Sequence, residues 1–187
     1  MKGVVFTEFL EMAEARFSLR VVDRVLTEVS PPSGGQYTAV GTYPHGELVA
    51  LLLELSKETG ISPQALLEAF GAHLFGRFVE QQPAFFASAP DAFALLRSVE
   101  GHIHVEVKKL YPDAELPSLV CSDDGPNRMI LTYRSPRRLA DLAEGLIRAC
   151  AKHYGEDLAL ERDDLSGGKG EVVRFTLTRR APSSARP

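Results

Sequence analysis

The proline at position 112 divides the chain into two kinds of hydrophobic pattern. Before Pro112, apolar residues recur three and four residues apart, as between residues 48 and 55, which is the spacing of one helix face. After it, short apolar runs such as 119–121 and 129–133 are bounded by turn-forming residues, a pattern that indicates strands. Because helices come first and strands follow with one packed helix, the sequence predicts an α+β fold.

Two Ser-Pro pairs predict where helices begin, because Ser is a preferred N-cap and Pro a preferred first helical residue. The pair Ser62-Pro63 predicts a helix that continues to about residue 81. The pair Ser135-Pro136 predicts the helix of the second half. A long helical pattern over 93–110 is expected to end before the next proline.

These patterns predict a single domain over residues 1–180. The last residues, 181–187, are rich in Pro, Ser and Ala. We expect them to form a disordered tail.

The composition argues against several classes of protein. The 25 acidic and 21 basic residues are scattered and give a net charge of −4, whereas a nucleic-acid binder carries a clustered excess of Lys and Arg. Charges interrupt every apolar stretch before the ~18 residues that a membrane span needs. Glu8 and Glu11 break the only candidate signal peptide, so we expect a cytoplasmic protein. We also expect it to be a monomer.

His102 and His104 are the candidate metal ligands. Because one residue separates them within a helical pattern, they cannot easily chelate one metal together. Both lie on the flanks of the apolar stripe, and the helical wheel does not choose between them. From the residues alone, a structural role for either is favoured over ligation.

Tyr133, Ser135 and Arg137 form the second constellation, at the point where a strand leads into a helix. Two hydroxyls and the guanidinium donors suit a carboxylate or phosphate. In the simpler alternative, Ser135 only caps its helix, Tyr133 is buried and Arg137 is solvated. The residues alone favour that alternative.

The run from His104 to Tyr111-Pro112, followed by Pro117 and by Tyr133-x-Ser135-x-Arg137, resembles the heme-nitric oxide/oxygen binding (H-NOX) family. This sensor domain also occurs in soluble guanylate cyclase. The similarity extends to about residue 180. It implies that His104 is the proximal heme ligand, that Pro117 presses on the porphyrin, and that the Tyr-x-Ser-x-Arg residues hold the heme propionates.

The same resemblance implies a helical subdomain at about 1–60 and a second subdomain at about 61–180, in which helices pack on an antiparallel sheet. It implies heme b between the two. It places the heme-pocket positions at Val5, Phe9, Leu74, Phe78, Leu142 and Leu146. Family members that bind oxygen stably carry a tyrosine nine residues after the motif tyrosine, and Leu142 stands there. The implied function is a sensor of nitric oxide, which also binds carbon monoxide at ferrous heme but does not hold oxygen.

The resemblance also implies how such a sensor signals. Nitric oxide is expected to break the bond between His104 and iron, and the two subdomains then shift. The implied partner is a separate signalling protein, such as a histidine kinase or a cyclic-di-nucleotide enzyme, and the domain itself is not expected to be an enzyme.

Two other readings of the residues stay open. One is a heme-free α+β interaction module in which His104 is structural. The other is a hydrolase that uses His102 or His104 as a base, although no nucleophile lies on a recognisable Gly-x-Ser-x-Gly elbow.

Overall fold

The computed structural model of the protein describes residues 1–180. The tail predicted at 181–187 lies outside the described residues. Within 1–180, eight α-helices and one π-helical turn accompany a four-stranded antiparallel sheet. The α+β class predicted from the sequence is confirmed. Within residues 1–180, no helix combines the length and the hydrophobicity that a membrane span requires.

The N-terminal helices enclose the first of two hydrophobic clusters. They are α1 (Gly3–Phe17), α2 (Leu19–Val29) and α3 (His45–Thr59), joined by the first half of α4 (Pro63–Gln81). Residues three and four apart on each helix point inward and exclude water. We call this the N-terminal cluster; its buried members are Phe6, Phe9, Met12, Ala13, Val22, Val25, Leu48, Leu51, Leu52, Leu55, Leu66, Leu67, Phe70, Leu74 and Leu139.

Helix α4 begins as the sequence predicts. The Ser62 hydroxyl accepts a 3.2 Å hydrogen bond from the Ala65 amide, which satisfies one of the free donors at the helix start. Pro63 is the first helical residue and the helix ends at Gln81. The helix packs along α8 (Ala140–His153), which lies in the second half of the chain.

The helical region predicted over 93–110 is interrupted by a π-helical turn. After the short α5 (Pro83–Ser88), the chain forms α6 (Ala92–Ser98), the turn Val99–Ile103 and α7 (His104–Leu110). A π turn holds one extra residue per turn and shifts the register of the side chains that follow. The apolar spacing does not reveal this shift, so the sequence predicts one continuous helix.

The sheet has the order β1-β2-β4-β3, so β1 and β3 are its edges. Its strands are β1 (Ser118–Asp123), β2 (Arg128–Arg134), β3 (Leu158–Asp164) and β4 (Val172–Arg179). Alternate residues of β2 and β4 face the helices and are buried. With α6 and α8 they form the sheet cluster, whose buried members are Phe75, Phe86, Ala92, Phe93, Leu95, Leu96, Met129, Leu131, Tyr133, Ala140, Ala143, Ile147, Cys150, Val173, Phe175 and Leu177.

The predicted helix start at Ser135 is wrong, because α8 begins at Ala140. The Ser135 hydroxyl accepts a 3.2 Å hydrogen bond from the Arg137 amide and thereby closes a local turn. Arg138 then has a φ of 57°, a left-handed conformation that a right-handed helix cannot contain. The Ser-Pro pair therefore marks a turn before the helix.

Candidate functional site

His104 is the first residue of α7, directly after the π turn. Its Nδ1 lies 3.2 Å from Oε2 of Glu100, and its side chain is 15% exposed. Burial lowers the pKa of His104, an effect that the Glu100 carboxylate opposes. The imidazole is therefore held in the neutral form, which is the form that binds metals.

The His104 side chain lines a cavity of about 110 Å³. The wall of this cavity consists of Glu100, His104, Val105, Lys108, Leu116, Pro117 and Ser118. The structure thus brings together the histidine and the proline that the sequence predicts at one site. His104 and Pro117 are thirteen residues apart in the sequence, and they meet because the segment after α7 turns back before β1 begins.

His102 occupies a different environment. It lies in the π turn and is exposed. Its ring makes an edge-on contact with Phe85, with 5.1 Å between the ring centroids. The two histidines therefore differ in contacts as well as in burial, and only His104 lines the cavity.

Tyr133 and Ser135 lie at the end of β2, where the strand leaves the sheet. Tyr133 is 3% exposed, and its hydroxyl accepts a 3.0 Å hydrogen bond from the Leu139 amide. Burial raises the pKa of Tyr133, so the hydroxyl keeps its proton and can donate it to an acceptor.

Arg137 already binds a carboxylate. Its Nη2 lies 2.6 Å from Oε2 of Glu115, and its Nη1 also donates to the Glu115 carbonyl oxygen. The Arg137 side chain is 12% exposed, whereas that of Glu115 is 85% exposed. A largely enclosed guanidinium thus holds an outward-facing carboxylate.

A second cavity, of about 170 Å³, adjoins this ion pair. It is lined by Met1, Lys2, Thr42, Asp113, Ala114, Glu115 and Arg137. The Lys2 ammonium lies 3.2 Å from Asp113, and burial followed by the charge of Arg137 lowers the pKa of the Met1 amino group. Lys2 therefore adds a second cationic side chain to the cavity that Arg137 lines, a contribution that the sequence did not predict.

Most predicted pocket residues meet in the N-terminal cluster. Phe9 and Leu74 are buried members of it, while Val5, Leu142 and Leu146 are half-buried and pack against it. In contrast, Phe78 is 39% exposed and belongs to neither cluster.

A polar group beside this apolar wall was not predicted. The Glu8 carboxylate is buried in α1 and accepts hydrogen bonds from His73 Nε2 at 2.9 Å and from Arg77 Nε at 3.0 Å. These three residues join α1 to α4 next to Phe9 and Leu74. The sequence carried no spacing that indicates a contact between residues so far apart.

Residues 2–162 match the Haem-NO-binding family. This match spans most of the chain. The protein belongs to the H-NOX family. The family comprises heme-based gas sensors, and its domains are sensors rather than catalysts.

Solved H-NOX structures share the fold closely. The protein from K. algicida in the Fe(II) unliganded state is 34% identical, with a TM-score of 0.92 and 100% of each chain covered. The Shewanella woodyi protein, bound to IWP-051 in the Fe(II)CO state, is 38% identical, with a TM-score of 0.83 and coverage of 100% of this chain and 97% of the other.

The S. oneidensis protein in the Fe(II)NO state is 25% identical, with a TM-score of 0.88 and coverage of 97% of this chain and 100% of the other. No curated protein matches the chain. The predicted H-NOX resemblance is thereby confirmed.

The donor set of this H-NOX chain fits heme. His104 supplies a neutral imidazole, and Arg137 holds a carboxylate as it would hold a propionate. The cavity of about 110 Å³ beside His104 is smaller than a whole porphyrin. The residue types at the site are those that heme needs, a nitrogen ligand for the iron and a cationic partner for a propionate.

Proposed function

We propose that this H-NOX domain is a cytoplasmic sensor that binds heme b through His104 and detects nitric oxide. The observation that carries the proposal is the position of His104. The His104 side chain is a neutral imidazole that lines a cavity together with Pro117. The chain that carries it belongs to a family of heme-based sensors. One neutral imidazole would suffice to hold heme iron, and the bound heme would supply a site for a gas.

The proposed propionate site is Tyr133, Ser135 and Arg137. The pairing of Arg137 with Glu115 supports it, because a propionate carries the same group as the glutamate side chain. Tyr133 contributes a protonated hydroxyl, and Ser135 a second one. Charge-assisted hydrogen bonds from a largely enclosed guanidinium are among the stronger polar contacts that a protein makes.

The proposed distal wall is apolar, and this determines which gas is held. Leu142 is half-buried against the N-terminal cluster at the position where oxygen-binding members carry tyrosine. A leucine cannot donate a hydrogen bond to the polar iron-bound oxygen molecule. Nitric oxide and carbon monoxide need no such donor, and solved relatives exist in the Fe(II)NO and Fe(II)CO states.

The proposed signal is a movement of the helix that carries His104. If nitric oxide displaced His104 from a heme bound at this site, α7 would lose its link to that heme and could change its position. This short helix has no buried residue of its own, so little packing opposes its movement. The subdomains then shift, and a separate partner such as a histidine kinase or a cyclic-di-nucleotide enzyme reads the altered surface; the domain itself performs no catalysis.

The absorption spectrum of the purified protein tests this proposal. We expect a Soret band after reduction, and a five-coordinate ferrous nitrosyl spectrum after anaerobic addition of nitric oxide. The variant His104→Gly is expected to lose heme or to need added imidazole, whereas His102→Ala keeps the wild-type spectrum. A protein that stays colourless with added hemin refutes the proposal and supports a heme-free interaction module.

A further inference from the structure

One carboxylate oxygen joins the candidate iron ligand to the sheet. Oε2 of Glu100 lies 3.2 Å from Nδ1 of His104 and 3.0 Å from the backbone nitrogen of Leu119. An ionised carboxylate only accepts hydrogen bonds, so both nitrogens donate to it. The same atom therefore bridges the start of α7 and the edge strand β1.

The position of Leu119 makes this bridge informative. Leu119 is the second residue of β1 and pairs with Tyr133 of β2. Pro117 lies two residues before Leu119 and lines the cavity together with Glu100 and His104. The bridge thus links the candidate iron ligand to the strand pair that carries the first member of the propionate site.

The π turn provides a reason for the placement of Glu100. Glu100 is its second residue, and His104 follows the turn. π turns occur frequently at functional sites, because they re-aim the side chains that follow them. Here the turn leaves Glu100 able to reach both His104, four residues later, and a strand nineteen residues later.

We propose that Glu100 is the positioning residue of the iron ligand: its carboxylate orients the His104 ring and couples that ring to Leu119 of β1. This inference rests on the proposed function. With Nδ1 donating to Glu100, the lone pair of His104 is on Nε2, which would be the nitrogen that binds a metal. A carboxylate partner on the second nitrogen also makes a histidine a stronger metal ligand.

The bridge has two consequences for signalling. A stronger bond from His104 to iron would raise the nitric oxide concentration at which that bond breaks. When the imidazole is released, it remains bonded to Glu100, so its displacement pulls on the Leu119 end of β1. Glu100 therefore sets the nitric oxide concentration at which the sensor responds. It also determines that the movement of His104 is passed to β1.

Three variants in the heme-loaded protein test this inference. Glu100→Gln keeps an oxygen that can accept both hydrogen bonds but removes the charge, and Glu100→Ala removes both. Glu106→Gln is the matched control, because Glu106 lies on α7 and pairs with Lys109. The first measurement is the iron–histidine stretching frequency of the reduced protein. The second is the hydrogen exchange rate of the Leu119 amide in the carbon monoxide complex of the protein.

We expect the stretching frequency to fall in both Glu100 variants and to stay unchanged in the control. Amide exchange of Leu119 is expected to accelerate up to about tenfold in Glu100→Ala alone, which is the effect of losing one hydrogen bond. Both Glu100 variants should also convert to the five-coordinate nitrosyl form at lower nitric oxide concentration.

An unchanged stretching frequency in Glu100→Gln, with heme bound, overturns the inference even if Glu100→Ala fails to fold. Equal changes in Glu106→Gln and Glu100→Gln overturn it as well. Failure of the proposed function is recognised separately, since the wild-type protein then takes up no heme or His104→Gly retains the wild-type spectrum.

Discussion

Gly71 of α4 and Gly145 of α8 lie against each other where the two helices cross. A Cβ atom on Gly145 would stand 2.2 Å from the Glu68 carbonyl oxygen, and one on Gly71 would stand 2.5 Å from the Leu142 carbonyl oxygen. Only glycine permits this close approach of the two backbones. The contact sets the spacing between the helices that carry Leu74 and Leu142 of the proposed distal wall.

Replacement of Gly145 by alanine is therefore expected to destabilise the fold. The added methyl group must push the backbones apart, so the free energy of unfolding should fall by about 1–3 kcal/mol. Urea denaturation measures this change. Gly76→Ala is the matched control on α4, because a Cβ there meets no atom within 4 Å, and it should gain about 0.5–1 kcal/mol. Equal stability of the two variants contradicts the prediction.

Replacement of Leu142 by tyrosine is expected to give a stable oxygen complex. The phenol adds a hydrogen-bond donor to a wall that is otherwise apolar, and such a donor stabilises iron-bound oxygen. The absorption spectrum of the reduced protein in air follows this change. Leu142→Phe has nearly the same shape without the hydroxyl, and it should behave like the wild-type protein. A stable oxygen complex in the phenylalanine variant would show that the hydroxyl is not responsible.

Replacement of Arg137 by glutamine is expected to weaken heme retention. The variant loses a charge-assisted pairing with a carboxylate, and the dissociation constant for heme should rise about 10- to 100-fold. Transfer of heme to apomyoglobin measures the loss. Arg138→Gln serves as the control, because Arg138 is exposed and pairs with Glu171 outside both cavities. A similar loss in both variants argues against a specific role for Arg137.

Alkaline pH is expected to destabilise the protein through its buried thiols. Burial raises the pKa of Cys150 to about 12 and that of Cys121 to about 11, from about 9. Between these values the folded protein keeps protons that the unfolded chain has lost. The contribution of the thiols to the free energy of unfolding is thus fully present below pH 9. Above pH 9 it falls by up to about 1.4 kcal/mol per pH unit for one thiol.

The comparison of urea denaturation from pH 8 to 10 in wild type and Cys150→Ala isolates this effect. The variant also loses packing volume, so the slope against pH is the relevant quantity and not the stability at one pH. We expect a shallower slope in the variant. Identical slopes would mean that Cys150 does not contribute.

Local chemistry explains which helix boundaries the sequence predicts. Ser62 caps α4 as expected because its partner lies three residues away on the same helix. The similar pair at Ser135 fails because the left-handed Arg138 ends the turn before a helix can form. The sequence does not predict the π turn before His104, because the apolar spacing of this segment also fits an ordinary α-helix.

The candidate site shows the same division. The Tyr-x-Ser-x-Arg pattern and the histidine before Tyr111-Pro112 lie in short, recognisable segments, so their residues could be named in advance. Glu115, Lys2 and Glu100 could not, because each gains its role from a partner in another part of the chain. Glu100 is separated by four residues from His104, a spacing that favours contact on a helix, but nothing in the sequence indicates its bond to Leu119.

The amino-acid sequence on its own determined the order of helices and strands through its periodicity, and the family through short motifs of residues close together in the chain. It named His104 as the candidate iron ligand only through the resemblance to that family. The tertiary structure decided which of two histidines is enclosed, which carboxylates stand beside His104 and Arg137, and which wall residues are covered. These properties arise from packing between distant segments, and packing is what sets burial, hydrogen-bond partners and pKa.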